Sequence, residues 1–296
     1  MYKLDSIESC TLICQGVNDS YKVVTASGRY LLRVYRYQWR TLVEIEYEIA
    51  AVEYLSLMGV NVSVPLKDRM GNSVQQLSAP EGPRYAVLMS YASGDELAFS
   101  RHEDGAMYGR AVAKIHDITD KMTVNHERVL DGDYLIKKPM QVISPLVEYR
   151  YPALWEELKN GADKLFQRLK SIEPSQLKHG FCHGDLHGGN AHYDGSQLTF
   201  FDFDCCGYGY RAYDLAVFKW RAHLVDKLDM RWESFIQAYT EHRTLTSQEL
   251  EAVDMFVAIR HLWIIALQID VAVATGYLHE KFFAHHIGFL SSVMPK

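Results

Sequence analysis

The sequence predicts an α+β fold of two lobes, with a β-rich first third and a mostly helical remainder. Three observations carry this. Residues 11–15 (TLICQ), 20–25 (SYKVVT) and 29–35 (RYLLRVY) alternate or run apolar and β-branched, as strands do. From about residue 91 the apolar positions take up helical spacing instead. The chain's 296 residues, 48% hydrophobic and 23% charged, have an ordinary globular composition and room for about two domains. Residues 1–90 are expected to form one lobe and 91–296 the other, joined by a short hinge at Met89–Ala92. Ligands favour clefts between such units.

Each element has its own signal. Ser27-Gly28 is a turn between the second and third strands, so these form a hairpin. Leu42, Ile45, Ile49, Val52 and Leu55 share one face of a helix over 40–58, and Gly59 fits its C-terminal cap. Two further strands are expected near 73–77 and 84–90. Helices follow over 104–118 and 152–171, then a compact segment at 179–206, then helices over 212–225, 229–242, 247–275 and 278–292.

Composition excludes several classes of function. A formal charge of −6 disfavours a nucleic-acid or anionic-membrane binder, which needs a basic footprint. The N-terminal MYKLDSIESC lacks the basic-then-apolar pattern of a secretory signal. The most apolar run, Leu262–Ile269, is shorter than the roughly 20 residues of a membrane span and reads as a buried helix. Five cysteines without a signal peptide point to reduced thiols and a cytoplasmic protein. Cys10 and Cys14 have helix-like spacing but no matching Cys/His pair, so they are expected to be small buried hydrophobes, as are Cys205 and Cys206.

The chemistry is concentrated in residues 182–204, CHGDLHGGNAHYDGSQLTFFDFD. Asp194-Gly195 is a hairpin signal between Ala191–Tyr193 and Leu198–Phe201. That hairpin is expected to fold Asp202 back toward Asp185 and Asn190. Two carboxylates and an amide oxygen suit Mg²⁺, which takes few protein ligands and keeps phosphates and waters. Phosphoryl transfer needs metal charge on the phosphates and a carboxylate to orient the attacking hydroxyl. A lone loop Asp is usually a cap or turn residue. The ordered set, HGD, four residues, Asn, a hairpin and DFD, is far more specific.

His183-Gly184-Asp185-Leu186-His187-Gly188-Gly189-Asn190 resembles the HxDxxxxN catalytic loop of the aminoglycoside phosphotransferases, choline kinases and homoserine-kinase-like relatives. Phe201-Asp202-Phe203-Asp204 resembles the metal-binding segment that protein kinases write as DFG. The resemblance implies a protein-kinase-like fold, with ATP and Mg²⁺ as cofactors. It makes Asp185 the catalytic base or orienting carboxylate, Asn190 and Asp202 the metal ligands, and His183 a brace. Asp204 either touches a second metal or stabilises the turn. Gly207-Tyr208-Gly209 with Tyr213-Asp214-Leu215-Ala216 resembles the segment after the metal site, where Asp214 would brace the loop. Tyr108-Gly109 through Ile115-His116 resembles the family's helix ending in an isoleucine-histidine pair.

The first third matches less sharply. Gln15–Tyr21 stands where the nucleotide-covering loop belongs; it has one glycine, and Asn18 and Ser20 could touch phosphate. Where kinases place a strand lysine this chain has Arg33, as some relatives do; arginine keeps the charge and grips phosphate with a planar fork. Its partner is Glu44 or Glu48, and the resemblance implies Glu48, whose spacing to Gly59 and Pro65 best fits the family. Met89 and Tyr91, with Ser90 and Ala92, would hold adenine through the backbone. No Walker or GxGxxG motif supports a different nucleotide fold.

The function expected is a kinase acting on a hydroxyl of a small molecule, as a monomer or homodimer, without nucleic acid or membrane. In the relatives C-terminal helices build the acceptor pocket, which makes Tyr208, Tyr210, Arg211, Trp220, Arg221, His261, Trp263 and Asp270 candidates to face it. A Ser/Thr protein kinase of the bacterial stress-response type and a nucleotide-binding pseudoenzyme are the alternatives. A metallohydrolase built on His183, Asp185 and His187 is a weaker fourth.

Overall fold

The computed structural model describes residues 2–123, 128–225 and 229–295. Contacts divide the chain into two units. The first comprises Met1–Leu97, Lys121–Arg128 and Gly188–Cys205; the second comprises Ala98–Asp120, Val129–His187 and Cys206–Lys296.

The first unit is built on an antiparallel sheet. Its strands are β1 (Ile7–Gln15), β2 (Asp19–Thr25), β3 (Gly28–Val34), β4 (Val74–Ala79) and β5 (Gly82–Ser90), in the order β1-β2-β3-β5-β4. The β2–β3 hairpin closes at Thr25 opposite Gly28, as the Ser27-Gly28 turn predicts. Between β3 and β4 runs α1 (Leu42–Leu57). Thr41 and Glu44 form a reciprocal capping box at its start. Its end is a Schellman motif: Gly59, at φ 77°, and Val60 donate to Ser56 and Leu55, so the predicted cap is real. Tyr35, Ile45, Ile49, Val87 and Met89 form the core between helix and sheet. The hairpin of β9 (Ala191–Tyr193) and β10 (Leu198–Phe200) joins this unit beside the short β6 (Asp95–Glu96).

All nine residues of the edge strand β1 are exposed. Cys10 and Cys14 are therefore exposed thiols on a strand, which corrects the expectation that they are buried. Helix-like spacing misled here, because an edge strand with no layer over it buries neither face. Cys206 is buried and Cys205 intermediate.

The second unit is mainly helical. Its helices are α2 (His102–Thr119), α3 (Lys138–Val147), α4 (Pro152–Ser171), α5 (Arg211–Leu224), α6 (Ser234–Thr240), α7 (Ser247–Ala274) and α8 (Glu280–Val293). A small sheet runs β7-β11-β8, from β7 (Val129–Leu130), β8 (His179–Cys182) and β11 (Gly207–Tyr210). The sequence reading had no element at α3, where Pro139 sits in the first turn and Pro145 inside the helix. Helix α7 is long and apolar enough to cross a membrane, yet 67% of its most apolar window is buried. It packs against α5, α3 and α8, as the core helix expected of Leu262–Ile269. Phe99, Tyr108, Phe218 and Phe235 stack edge and face in the same unit's core.

Candidate active site

In the first unit, strand alternation sets the charged centre. Leu31, Arg33 and Tyr35 share one face of the third strand and its extension. Arg33 Nη1 lies 2.8 Å from Glu48 Oε1, and its Nη2 lies 3.0 Å from Asp202 Oδ1. The Tyr35 hydroxyl donates to the other Glu48 oxygen at 2.8 Å. Glu48 is thus the partner of Arg33, as expected. Glu44 instead meets the Arg128 guanidinium at 3.2 Å and caps its own helix. Burial pushes the Glu48 carboxyl up to about 7 against the pull of Arg33, and nearby Asp204 adds to the rise.

Asp202 and Asn190 are brought together by the β9–β10 hairpin. Asp194 accepts from the backbone N–H groups of Ser196 and Gln197, and Gly195 takes φ 96° in the turn. The returning strand ends with the Phe201 N–H on the Asn190 carbonyl at 3.0 Å. Asp202 then adopts φ 64°, a left-handed conformation that a non-glycine residue holds only where its surroundings demand it. A pocket of about 300 Å³ in this unit is lined by Ser20, Arg33, Tyr91, Ala92, Asn190 and Asp202 among others. Of the residues expected to meet nucleotide or metal, Ser20, Arg33, Tyr91, Asn190 and Asp202 line it, while Glu48 lies behind Arg33. Asn18 and Met89 do not line it. The Asn18 side chain accepts from the Arg36 N–H at 3.1 Å and donates to Asp204, and Met89 packs into the core.

Asp204 is engaged through both its side chain and its backbone carbonyl. It is buried and accepts from Asn18 and from the Trp39 indole at 3.0 Å. Its backbone carbonyl takes Arg40 Nε at 3.0 Å and Arg128 Nη1 at 2.6 Å. These contacts hold the turn after Asp202 in place. Asn190 and Asp202 together supply an amide and a carboxylate oxygen, the sparse oxygen set that fits Mg²⁺. Among the described residues no group of three His, Cys, Asp or Glu side chains could hold a metal, so the His183–Asp185–His187 alternative lacks a ligand set.

In the second unit, the loop carrying Asp185 is held from four sides. Asp214, on α5, accepts from the backbone N–H groups of His183 at 2.7 Å and Gly184 at 2.8 Å. His116, on α2, lies 3.3 Å from the same carboxylate and 2.9 Å from the Tyr239 hydroxyl. Tyr108 donates to the His187 carbonyl at 2.8 Å. The buried His183 accepts the Asp185 N–H at 3.3 Å, the bracing role expected of it. The fourth hold is Arg260 of α7, which pairs with Asp185 Oδ1 and donates to the Gly184 carbonyl at 3.1 Å. Trp220 and Trp263 flank its guanidinium, with ring centroids at 5.3 and 4.8 Å. Burial raises the Asp185 pKa, but Arg260, then His187 and His183, outweigh it and hold the carboxyl far below the usual range.

Sequence reading missed Arg260. The signal was the one Lys or Arg of the long apolar helix, in its middle between Asp254 and Asp270, where a buried cation must be paired. The expected acceptor residues divide. Arg211 is a buried structural residue, paired to Asp120 and donating to the Phe181 carbonyl. Trp220 donates to His261 at 3.1 Å while flanking Arg260 with Trp263.

Comparison with known proteins accords with this geometry. Residues 14–253 match the model of the phosphotransferase enzyme family. An uncharacterized protein of Deinococcus radiodurans is 37% identical over 288 residues, covering 95% of this chain and 83% of that one. Among solved structures, an amicoumacin kinase in complex with AMP-PNP and Ca²⁺ superposes with a TM-score of 0.79 at 19% identity, covering 97% and 90% of the two chains. A microcompartment-associated aminopropanol kinase does so with a TM-score of 0.78 at 21% identity, covering 99% and 92%. The likenesses show the α+β, protein-kinase-like fold expected from the sequence.

Proposed function

The chain belongs to the phosphotransferase enzyme family, and on that premise we propose that it transfers the γ-phosphate of ATP to a hydroxyl of a small molecule. The observation that carries this is the lining of one pocket by Arg33, Asn190 and Asp202, with Arg33 clamped between Glu48 and Asp202. Asn190 and Asp202 would hold Mg²⁺, which when bound neutralises phosphate charge. Arg33 would grip the phosphates and Ser20 would cover them. The backbone from Met89 through Tyr91 would meet the adenine, and Asn18 would act through the loop it holds. Asp185 would orient the acceptor hydroxyl. The complex of an amicoumacin kinase with AMP-PNP and Ca²⁺ supports a nucleotide and a divalent cation here. The ATP requirement is consistent with a cytoplasmic enzyme.

The names of the relatives direct the acceptor search. An aminopropanol kinase is similar to this chain in fold, so small amino alcohols are the first acceptors to offer. ADP release measured across a panel of amino alcohols and aminoglycosides should rise with at least one of them. Asp185→Ala should reduce that rate on the order of 10²-fold or more, the loss expected when a reacting group is misplaced, with the fold retained by circular dichroism. Full activity in that variant, or no turnover with any acceptor, would sink the proposal.

A further inference from the structure

We infer that Arg260 is a positioning residue that locks Asp185 through one carboxylate oxygen, so that Asp185 orients the acceptor hydroxyl without carrying away its proton. The inference rests on the phosphotransfer reading above. Its ground is the geometry around a single side chain. Arg260 is 2% exposed, pairs with Asp185 Oδ1, and is itself fixed by the Gly184 carbonyl and two flanking indoles. Its Nη1 also lies 3.5 Å from the Tyr213 hydroxyl. The second Asp185 oxygen lies 3.6 Å from His187 Nε2. The charged and titratable groups around Asp185 include Arg260, His187 and His183, with Asp214 beneath the loop.

A carboxylate compensated by an immobile guanidinium is a poor proton acceptor, because taking the proton would remove the negative charge that faces the buried guanidinium. It remains a good hydrogen-bond acceptor. The chemistry balances without a base. The acceptor O–P bond forms as the bond from the γ-phosphorus to the bridging oxygen breaks. ADP departs with that electron pair, and the hydroxyl proton passes to water from the new phosphate ester. An aspartate that only orients needs no pKa near neutrality, whereas a general base does.

The test is the titration of the Asp185 carboxyl carbon by NMR on ¹³C-aspartate protein, assigned by its absence in Asp185→Asn. It is run alongside the pH dependence of kcat for ADP release. The wild-type carboxyl should show no titration between pH 4 and 9, and kcat should show no acid limb from pH 5 to 8. Arg260→Met leaves burial unopposed by the guanidinium and should bring the carboxyl titration up into the observed window, above about pH 5. Its kcat should gain a matching acid limb and fall roughly tenfold or more, with KM for ATP changed less than about twofold. Arg260→Lys, which keeps the charge but not the planar fork, should hold the titration low and recover only part of kcat. A wild-type carboxyl titrating near neutrality would overturn the inference. So would an Arg260→Met protein whose titration and kcat profile are unchanged while its thermal midpoint falls. If Arg260→Met does not fold, Arg260→Lys decides: wild-type kcat there refutes positioning. The NMR titration reads Arg260 even if no acceptor is turned over, a result that would fail the phosphotransfer reading alone.

Discussion

Arg33 in the first unit and Arg260 in the second are both buried arginines paired to a carboxylate of the same sequence motif, yet their surroundings differ. Arg33 bridges two acids, Glu48 and Asp202, and Asp202 keeps a side chain 42% exposed. Arg260 pairs with Asp185, donates to a backbone carbonyl and lies between two indoles. The first cluster carries one more negative charge than its arginine can balance when both acids are ionised. In the second, Arg260 and Asp185 offset one another. A site with a spare carboxylate is prepared for a cation and the phosphates that accompany it. On the proposed function, the balanced pair serves an uncharged hydroxyl.

The difference can be broken in decreasing steps. Arg33→Met leaves two acids facing each other and should cost about 3–5 kcal/mol in urea unfolding at pH 8, the range for breaking a buried pair. The cost should shrink at pH 6. Burial raises the folded Glu48 carboxyl to about 7 from its ordinary 4.5, so its stabilising contribution is full below 4.5 and lost as pH rises through 7. A protein losing as much stability at pH 6 as at pH 8 would refute that reading.

The second unit should respond to acid in the opposite sense. Burial, with Arg211 adding to it, depresses His116 from 6.5 to about 4 despite its contact with Asp214. The neutral ring is what the fold accommodates, so its contribution is full above pH 6.5 and is lost as pH falls toward 4. The total is about 3 kcal/mol by the conversion of about 1.4 kcal/mol per pH unit. Unfolding midpoints between pH 7 and 4.5 measure it, and His116→Gln should flatten the slope. The smallest comparison is between two capping boxes, Thr41–Glu44 and Thr246–Glu249. Each Thr→Ala should cost about 1 kcal/mol. The Thr246 change should be the larger, because buried Glu249 also accepts the Lys178 N–H at 3.2 Å. Equal thermal shifts would argue against any contribution from burial.

What could be read from the sequence follows from the range of each interaction. The Arg33–Glu48 pair lies 15 residues apart across one strand-to-helix connection; helical spacing narrowed the partner to Glu44 or Glu48, and the family resemblance favoured Glu48. The β9–β10 hairpin was visible because Asp194-Gly195 is a local turn code. Arg260 lies 75 residues from Asp185, and nothing local marks the pairing. The role of Asp204 depends on an indole 165 residues away in sequence and on Asn18 at 186. Helix α3 was hidden by its two prolines. The exposure of Cys10 and Cys14 followed from β1 standing at the sheet edge, which depends on strand order and not on composition.

That edge strand has a practical consequence. Cys14 is solvent-exposed and forms part of the wall of the 300 Å³ pocket, whereas Cys10, on the same strand, does not line it. The protein therefore carries an occupancy reporter and its own reference. Ligand filling the pocket should slow maleimide labelling at Cys14 while leaving Cys10 as a clock. Mass spectrometry of the two modified peptides could then rank nucleotides without any knowledge of the acceptor.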